Sequence, residues 1–251
     1  MPTGRRSRRL ALALLPALLA LSLGAGGARA GFQATIDSNE SAFEPPCMGW
    51  DDAYPEKMLR AAVSAYTALG YTARGYSGAS FTRAHVLART VGDWGYYVHS
   101  HGDNYWHAAD GRRYAGFRED GGDCSQAVVY SKDIAAKRAG RATNLVVMST
   151  CHLGESTSTM PGAFGIARKK SEPTEWLGSK FYLGYAGTAY DNDQWTFEQA
   201  FWDELRQGMP AGFAFDTALL GTFTHPFDPN WWGTYAYSGR AGPLPPCDRC
   251  L

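Results

Sequence analysis

Two short, continuously apolar runs constrain the fold of this chain more than any other feature. They read G-Y-Y-V-H-S over residues 95–100 and L-V-V-M-S over residues 145–149, and a polar turn with a glycine follows each. Apolar runs of this length, without alternating polar residues, are typical of strands that are covered on both faces, as in a parallel sheet. The sequence therefore predicts a buried parallel sheet.

Segments with helical periodicity alternate with strand-like segments along the chain. The predicted helices cover 54–69, Thr82 (as N-cap) to about Thr90, Ser131 (as N-cap) to Ala139, Thr196 (as N-cap) to Gly208, and 211–220; the other predicted strands cover 33–37, 71–76 and 181–185. A long polar loop is predicted for 103–126, and an irregular tail from about residue 222. The βαβαβ order predicts a three-layer α/β/α sandwich with a mainly parallel sheet.

The N-terminal segment 1–30 has the three parts of a secretory signal peptide. Four arginines lie within residues 5–9, an apolar run covers 10–23, and an A-x-A cleavage site ends at Ala30. The apolar run is too short to favour a retained membrane span, which needs about 20 residues, and no later stretch is long enough. We therefore expect a secreted protein with one mature domain over 31–251 and no integral membrane segment.

The balance of charges argues against nucleic acid as a partner. The chain has 24 basic and 24 acidic residues, but five of the arginines belong to the predicted signal peptide. The mature chain is therefore acidic overall, and it has no run of basic residues that would neutralise phosphates.

The cysteine count predicts disulfides and one free thiol. The mature chain has five cysteines, and an exported protein meets an oxidising environment. Cys151 is predicted to be free because it ends a core strand. Cys47, Cys124, Cys247 and Cys250 can pair in three ways, which the sequence does not rank. The C-x-x-C pair in the Pro-rich tail is interpreted as a disulfide that fixes the C-terminus.

A histidine and a cysteine follow the two apolar runs. His101 comes after the first run and Cys151 after the second, 50 residues later. Ligands and chemistry gather at the carboxyl ends of strands in an open α/β sheet. A histidine placed there can take the proton of a cysteine and make it a nucleophile. The backbone N–H groups of Gly102 and Cys151 are candidates for stabilising an oxyanion.

These motifs, in this order, resemble the caspase–gingipain–legumain group of cysteine peptidases. The histidine lies in S-H-G and the cysteine in T-C-H-L-G, and a spacing of about 50 residues is known for caspases. The run L-V-V-M-S-T-C-H-L-G is similar to the cysteine strand of metacaspases and CHAT-type peptidase domains. The later F-Y-L-G-Y-A-G-T-A-Y-D and F-E-Q-A-F-W-D-E-L-R-Q-G resemble the strand and helix that follow it. The resemblance covers about residues 33–220.

The resemblance implies a caspase-hemoglobinase-like fold and a cysteine endopeptidase without a cofactor. It implies peptide or protein substrates, an acyl-enzyme intermediate, His101 as general base and Cys151 as nucleophile. Gly102 and Cys151 would supply the oxyanion N–H groups. Metacaspases carry an acidic residue two positions before the cysteine, where it helps hold a basic P1 side chain. Ser149 occupies that position here, so a preference for basic residues is not implied.

Other acidic residues are candidates for a substrate pocket. They are Glu155, Asp191 and Asp193. Each also has an ordinary interpretation as a solvated loop residue.

A metal-dependent hydrolase is the sharpest alternative. His99, His101 and Asp103 form an H-x-H-x-D segment that resembles metallo-β-lactamase-like hydrolases, although the next position is Asn104 instead of histidine. Alternate strand residues point the same way, so the two histidines could bind one ion. Zinc needs three or four ligands. The residues that would complete the set are His107, His152 or Cys151.

The second alternative is a catalytically inactive relative with the caspase-like fold that binds a peptide or a glycan. Its binding face would use the aromatic residues of the predicted loops. These are Tyr105, Trp106, Trp195, Trp231 and Trp232.

Overall fold

The computed structural model describes residues 32–40, 53–120, 127–141, 143–166, 170–171, 180–222 and 228–234. The predicted signal peptide, the four cysteines of the predicted disulfides and the chain beyond residue 234 lie outside these residues. No helix within the described ranges is long and apolar enough to cross a membrane.

The chain begins with the βαβαβ order that the sequence predicts, from β1 to β3. The strands are β1 (Gln33–Ser38), β2 (Thr72–Tyr76), β3 (Gly95–His99), β4 (Gly102–His107), β5 (Arg112–Arg118), β6 (Val128–Tyr130), β7 (Leu145–Ser149), β8 (Lys170–Ser171), β9 (Phe181–Ala186) and β10 (Asp228–Thr234). The helices are α1 (Tyr54–Ala68), α2 (Arg83–Arg89), α3 (Ser131–Arg138), α4 (Met160–Ala163), α5 (Asp191–Arg206) and α6 (Ala211–Thr222).

A seven-stranded sheet with the order β2-β1-β3-β7-β9-β10-β8 forms the middle layer. The first five strands in this order are parallel, and β10 runs antiparallel to β9. The chain places β2 on one side of β1 and β3 on the other. The sheet therefore has a topological switch point between β1 and β3, and crevices at such points commonly hold ligands.

Helices cover both faces of this sheet. On one face, α1, α5 and α6 enclose a core that includes Tyr97, which packs beside Trp202. On the other face, α2, α3 and α4 enclose a core in which Tyr96 stacks on Phe164. Successive strand residues point to opposite faces, so a strand that is buried on both needs apolar side chains throughout. The predicted three-layer α/β/α sandwich with a mainly parallel sheet is confirmed.

The predicted loop over 103–126 is wrong for half of its length, since β4 and β5 occupy 103–107 and 112–118. Strands β4, β5 and β6 form a separate three-stranded antiparallel sheet. One face of this sheet buries Ala115, Phe117 and Val129 in the core beside α2 and α3. The arginines at both ends of β5 and Gly116 in its middle hide the alternation in the sequence, although only every second side chain has to be apolar. Part of the predicted irregular tail is also a strand, β10.

Helix boundaries agree with the sequence in most places and differ at α5. Thr82 caps α2 as predicted, since its hydroxyl accepts a hydrogen bond from the His85 N–H at 3.4 Å. Ser131 is the first residue of α3, and the N-cap is Tyr130. The helix α5 begins at Asp191, five residues before the predicted cap at Thr196, whose hydroxyl donates to a backbone carbonyl within the helix. Acidic residues in the first turn of α5 interact favourably with the helix dipole.

Candidate active site

The ends of β3 and β7 bring the two predicted catalytic residues to one edge of the sheet. These strands are parallel neighbours, and His99 is aligned with Ser149. His101 and Cys151 each follow two residues later. A methyl group added at Gly102 would lie 2.6 Å from the Cys151 carbonyl oxygen. The backbone at 101–102 therefore packs directly on that of the cysteine, and only glycine allows so close an approach.

The backbone around His101 is held from two sides. The Ser100 hydroxyl donates to the Arg118 carbonyl at 2.7 Å and accepts from the Asn39 amide at 3.1 Å. The Arg118 N–H donates to the His101 carbonyl at 3.0 Å. These contacts tie the turn after β3 to the end of β1 and to β5. They fix the main chain from which the half-buried His101 side chain extends.

The backbone N–H of Gly102 is left unused by the ladder between β4 and β5. It is aligned with Phe117 of β5, and the Arg118 N–H bonds to the residue before it. In this register Gly102 and Phe117 form a non-hydrogen-bonded pair, so the Gly102 N–H points away from β5. The antiparallel ladder therefore does not use this donor.

Cys151 is a free cysteine, as predicted, and its side chain is half-buried. Its sulfur accepts a hydrogen bond from the Ala189 N–H at 3.4 Å and lies 3.6 Å from the Ala189 carbonyl oxygen, to which the thiol donates. Burial raises the pKa of the thiol, the Ala189 N–H lowers it, and the Asp191 and Asp103 carboxylates raise it. The resting side chain is therefore a neutral thiol, and its reaction requires a base.

One of the three predicted pocket carboxylates lies at this site. Asp191, the first residue of α5, is near enough to Cys151 to raise the thiol pKa. Asp193 instead accepts a hydrogen bond from the Asn192 amide at 3.2 Å. Glu155 lies 2.6 Å from the Nδ1 atom of His152. The structure thus places Asp191 near Cys151, whereas Asp193 and Glu155 contact residues in their own segments.

A buried polar group that the sequence analysis missed lies beneath the site. Glu198 of α5 accepts hydrogen bonds from the hydroxyls of Tyr97 at 3.0 Å and Tyr185 at 2.9 Å. Burial raises its pKa to about 7, against the lowering effect of hydrogen bonds from Ser149, Tyr185 and Tyr97. We call these four residues the Glu198 cluster. A signal was present, because Glu198 lies one helical turn before Trp202 and so faces the core.

The H-x-H-x-D segment does not form a preformed metal centre. His99 is buried, and its Nδ1 atom lies 3.4 Å from the Ser149 hydroxyl. Asp103 is exposed and accepts a hydrogen bond from the Asn104 N–H at 2.6 Å. Among the residues that the structure describes, no group of three or more His, Cys, Asp or Glu side chains converges on a position suited to a metal ion.

Comparison with known proteins does not identify a family. Neither a family model nor a curated protein matches the chain. Among solved structures, the crystal structure of protein GSU0716 from Geobacter sulfurreducens is similar, with 11% sequence identity and a TM-score of 0.49. The match covers 85% of this chain and 99% of that chain. Similarity at this level carries no information about activity.

Proposed function

We propose that the protein is an exported cysteine-dependent peptidase with a caspase-like fold. Cys151 is the nucleophile and His101 the general base. The main support is the alignment of β3 with β7, together with the close packing of Gly102 on the Cys151 carbonyl. Residues from two distant parts of the chain thereby meet at the carboxyl edge of the sheet, where α/β proteins place their chemistry.

The proposed reaction begins from the neutral thiol. His101 takes the thiol proton as the Cys151 sulfur attacks the carbonyl carbon of the scissile amide. The carbonyl oxygen becomes an oxyanion, which the N–H groups of Gly102 and Cys151 stabilise. The imidazolium then gives its proton to the leaving amine, and a thioester remains on Cys151. A water molecule, deprotonated by His101, attacks the thioester, and the carboxylic acid leaves as the thiol is restored.

The loop after β9 has a supporting role in this proposal. The Ala189 N–H donates to the Cys151 sulfur in the resting protein. A hydrogen bond to sulfur stabilises the thiolate more than the thiol, because the thiolate carries the greater negative charge. The Ala189 N–H therefore favours the nucleophilic form, and the two contacts of Ala189 hold the sulfur in one position.

The first prediction concerns the two catalytic residues. Cys151→Ala abolishes hydrolysis of a fluorogenic peptide library that varies at P1, and His101→Ala lowers kcat/KM about 10²- to 10⁴-fold, the usual contribution of a general base. Iodoacetamide labels Cys151 and inactivates the wild-type protein in parallel. His152→Asn is the matched control, because it removes the histidine next to the nucleophile. Asparagine also tolerates the left-handed backbone at that position, where φ is 63°.

Three results would contradict the proposal. The first is hydrolysis by Cys151→Ala at the wild-type rate, and the second is a loss in His152→Asn as large as that in His101→Ala. The third is inactivation by a chelator with recovery on adding zinc, which would support the metal-dependent alternative. Absence of hydrolysis by the wild-type protein across the library would favour a binding module.

A further inference from the structure

His99 connects the Glu198 cluster to the site of Cys151. Its side chain is 1% exposed, and its two ring nitrogens contact different elements. The Nδ1 atom lies 3.4 Å from the Ser149 hydroxyl, and the Nε2 atom lies 3.8 Å from an Asp191 carboxylate oxygen. The second separation is an ion-pair distance, longer than a hydrogen bond. The proposed reaction does not use this histidine.

Ser149 lies between His99 and the Glu198 cluster. Its hydroxyl is 3.4 Å from the Nδ1 atom of His99. Its hydrogen bond lowers the pKa of Glu198, as a donor to the carboxylate does.

The other nitrogen of His99 faces a carboxylate. A lone pair on Nε2 would repel the Asp191 oxygen, whereas a proton between the two atoms attracts both. A protonated His99 therefore forms an ion pair with the Asp191 carboxylate, and this pair has no net charge.

Asp191 also acts on the nucleophile. Its carboxylate is one of the groups that disfavour ionisation of Cys151. A bare carboxylate at this place would oppose thiolate formation more strongly than one whose charge is balanced. We propose that His99 is a positioning residue that neutralises Asp191 and thereby eases deprotonation of Cys151. The role in catalysis rests on the proposed function, whereas the electrostatic coupling does not.

Other titratable groups surround this pair and the nucleophile. Through Ser149, the pair meets Glu198 of α5, Tyr97 of β3 and Tyr185 of β9. Around Cys151 lie Asp103 and Tyr105 of β4 and the adjacent His101. Glu198 titrates near pH 7, so the test includes Glu198→Gln as a background without that titration.

The test is the pH dependence of Cys151 alkylation by iodoacetamide, followed by mass spectrometry of the peptide that contains Cys151. The midpoint of this profile reports ionisation of the thiol. His99→Gln raises the midpoint by about one pH unit, because it removes the positive charge of His99 beside the Asp191 carboxylate. Asp191→Asn lowers the midpoint by about one unit in the His99→Gln background, but by less than about half a unit in the wild-type background. The same shifts of the midpoint are expected when each of these variants also carries Glu198→Gln.

Asp193→Asn is the matched control. It removes the same charge from the same turn of α5, but its carboxylate contacts Asn192. It shifts the midpoint little and equally in both backgrounds. A His99→Gln midpoint equal to that of wild type, or an equal shift from Asp191→Asn in both backgrounds, would overturn the proposal.

The proposal stays testable if His99→Gln does not fold, as judged by circular dichroism. The Asp191→Asn variant alone then tests the proposal. If it lowers the alkylation midpoint by a full pH unit, Asp191 is not neutralised in the wild-type protein. Alkylation does not require peptidase activity. A protein that hydrolyses no peptide but shows the expected shifts would therefore refute the proposed function and leave the coupling intact.

Discussion

Two buried carboxyl groups lie on opposite faces of the sheet, and both have a pKa raised to about 7. Asp37 of β1 contacts the Arg89 guanidinium of α2 at 2.9 Å and accepts a hydrogen bond from the Tyr96 hydroxyl at 2.8 Å. Glu198 is held by hydroxyl groups alone among its described contacts. Burial is the largest cause of the raised pKa in both cases.

The difference lies in what happens when each group ionises. Arginine keeps its charge at every relevant pH, so an ionised Asp37 completes an ion pair with Arg89. Among its described contacts, Glu198 has only hydroxyl donors, which stabilise a carboxylate less than a guanidinium does. Its protonated form also avoids a second negative charge near Cys151. An ionised Asp37 is therefore stabilised by a charge pair, whereas an ionised Glu198 is stabilised by hydroxyl groups alone.

The largest effect is expected when the charge pair is broken. Arg89→Gln leaves Asp37 buried without its cation, and we expect a loss of about 3 kcal/mol in the free energy of unfolding at pH 8. The loss is smaller at pH 5. Without Arg89 the folded-state pKa of Asp37 rises further above its unfolded value, so stability falls as pH rises toward that pKa. Urea denaturation at the two pH values measures both effects.

A second arginine on the same helix supplies the control for this prediction. Arg83 pairs with Asp133 at 2.9 Å, and its side chain is 45% exposed. Arg83→Gln should cost less than about 1 kcal/mol at either pH, because exposed ion pairs contribute little. Equal losses for the two variants, or a loss in Arg89→Gln that does not depend on pH, would show that the pair does not stabilise the fold in this way.

The next effect concerns Glu198, whose neutral acid form is favoured by burial. The folded-state pKa of Glu198 is about 7, against an ordinary value of 4.5. Its contribution to stability is therefore fully present below about pH 4.5 and is lost as pH rises through 7. Glu198→Gln removes this titration, so its stability relative to wild type should improve by about 2–3 kcal/mol between pH 5 and pH 8. Glu204→Gln, on the same helix, should follow the wild-type profile in urea denaturation. Parallel profiles for Glu198→Gln and wild type would mean that Glu198 is ionised throughout this range.

The smallest effect compares the hydroxyl donors on the two faces. Tyr185→Phe removes a donor to Glu198, and Tyr96→Phe removes a donor to Asp37. We expect a loss of about 1.5 kcal/mol for Tyr185→Phe and about 1 kcal/mol for Tyr96→Phe, because Asp37 keeps the charged Arg89 as a donor. Tyr71→Phe is the control, since the Tyr71 hydroxyl is buried with no hydrogen-bond partner among the described residues, and its removal should cost nothing. Thermal unfolding followed by circular dichroism at pH 6 measures the loss of stability in all three variants. A larger loss for Tyr96→Phe than for Tyr185→Phe would contradict the expected difference between the two faces of the sheet.

Much of the central sheet could be predicted from local pattern. The continuous apolar runs of β3 and β7 are what two-sided burial requires, and the two strands pair with an offset of 50 residues, from Gly95 with Leu145 onward. The spacing between His101 and Cys151 is also 50. In this chain, the spacing of the histidine and the cysteine therefore follows from the register of two neighbouring strands. The three-stranded sheet was missed because charged and glycine residues obscure its alternation.

Most of the helices and strands, and the residues at their ends, follow from local pattern, because burial on one face or on two gives the apolar residues a characteristic spacing. This pattern indicated His101, Gly102 and Cys151. The contact of His99 with Asp191 arises only in the folded chain, as does that of Tyr97 with Glu198, 101 residues away. The order of strands and the packing of α5 create these contacts, and no periodic pattern in the sequence indicates them. Whether a buried polar residue is paired or neutral depends on such long-range neighbours.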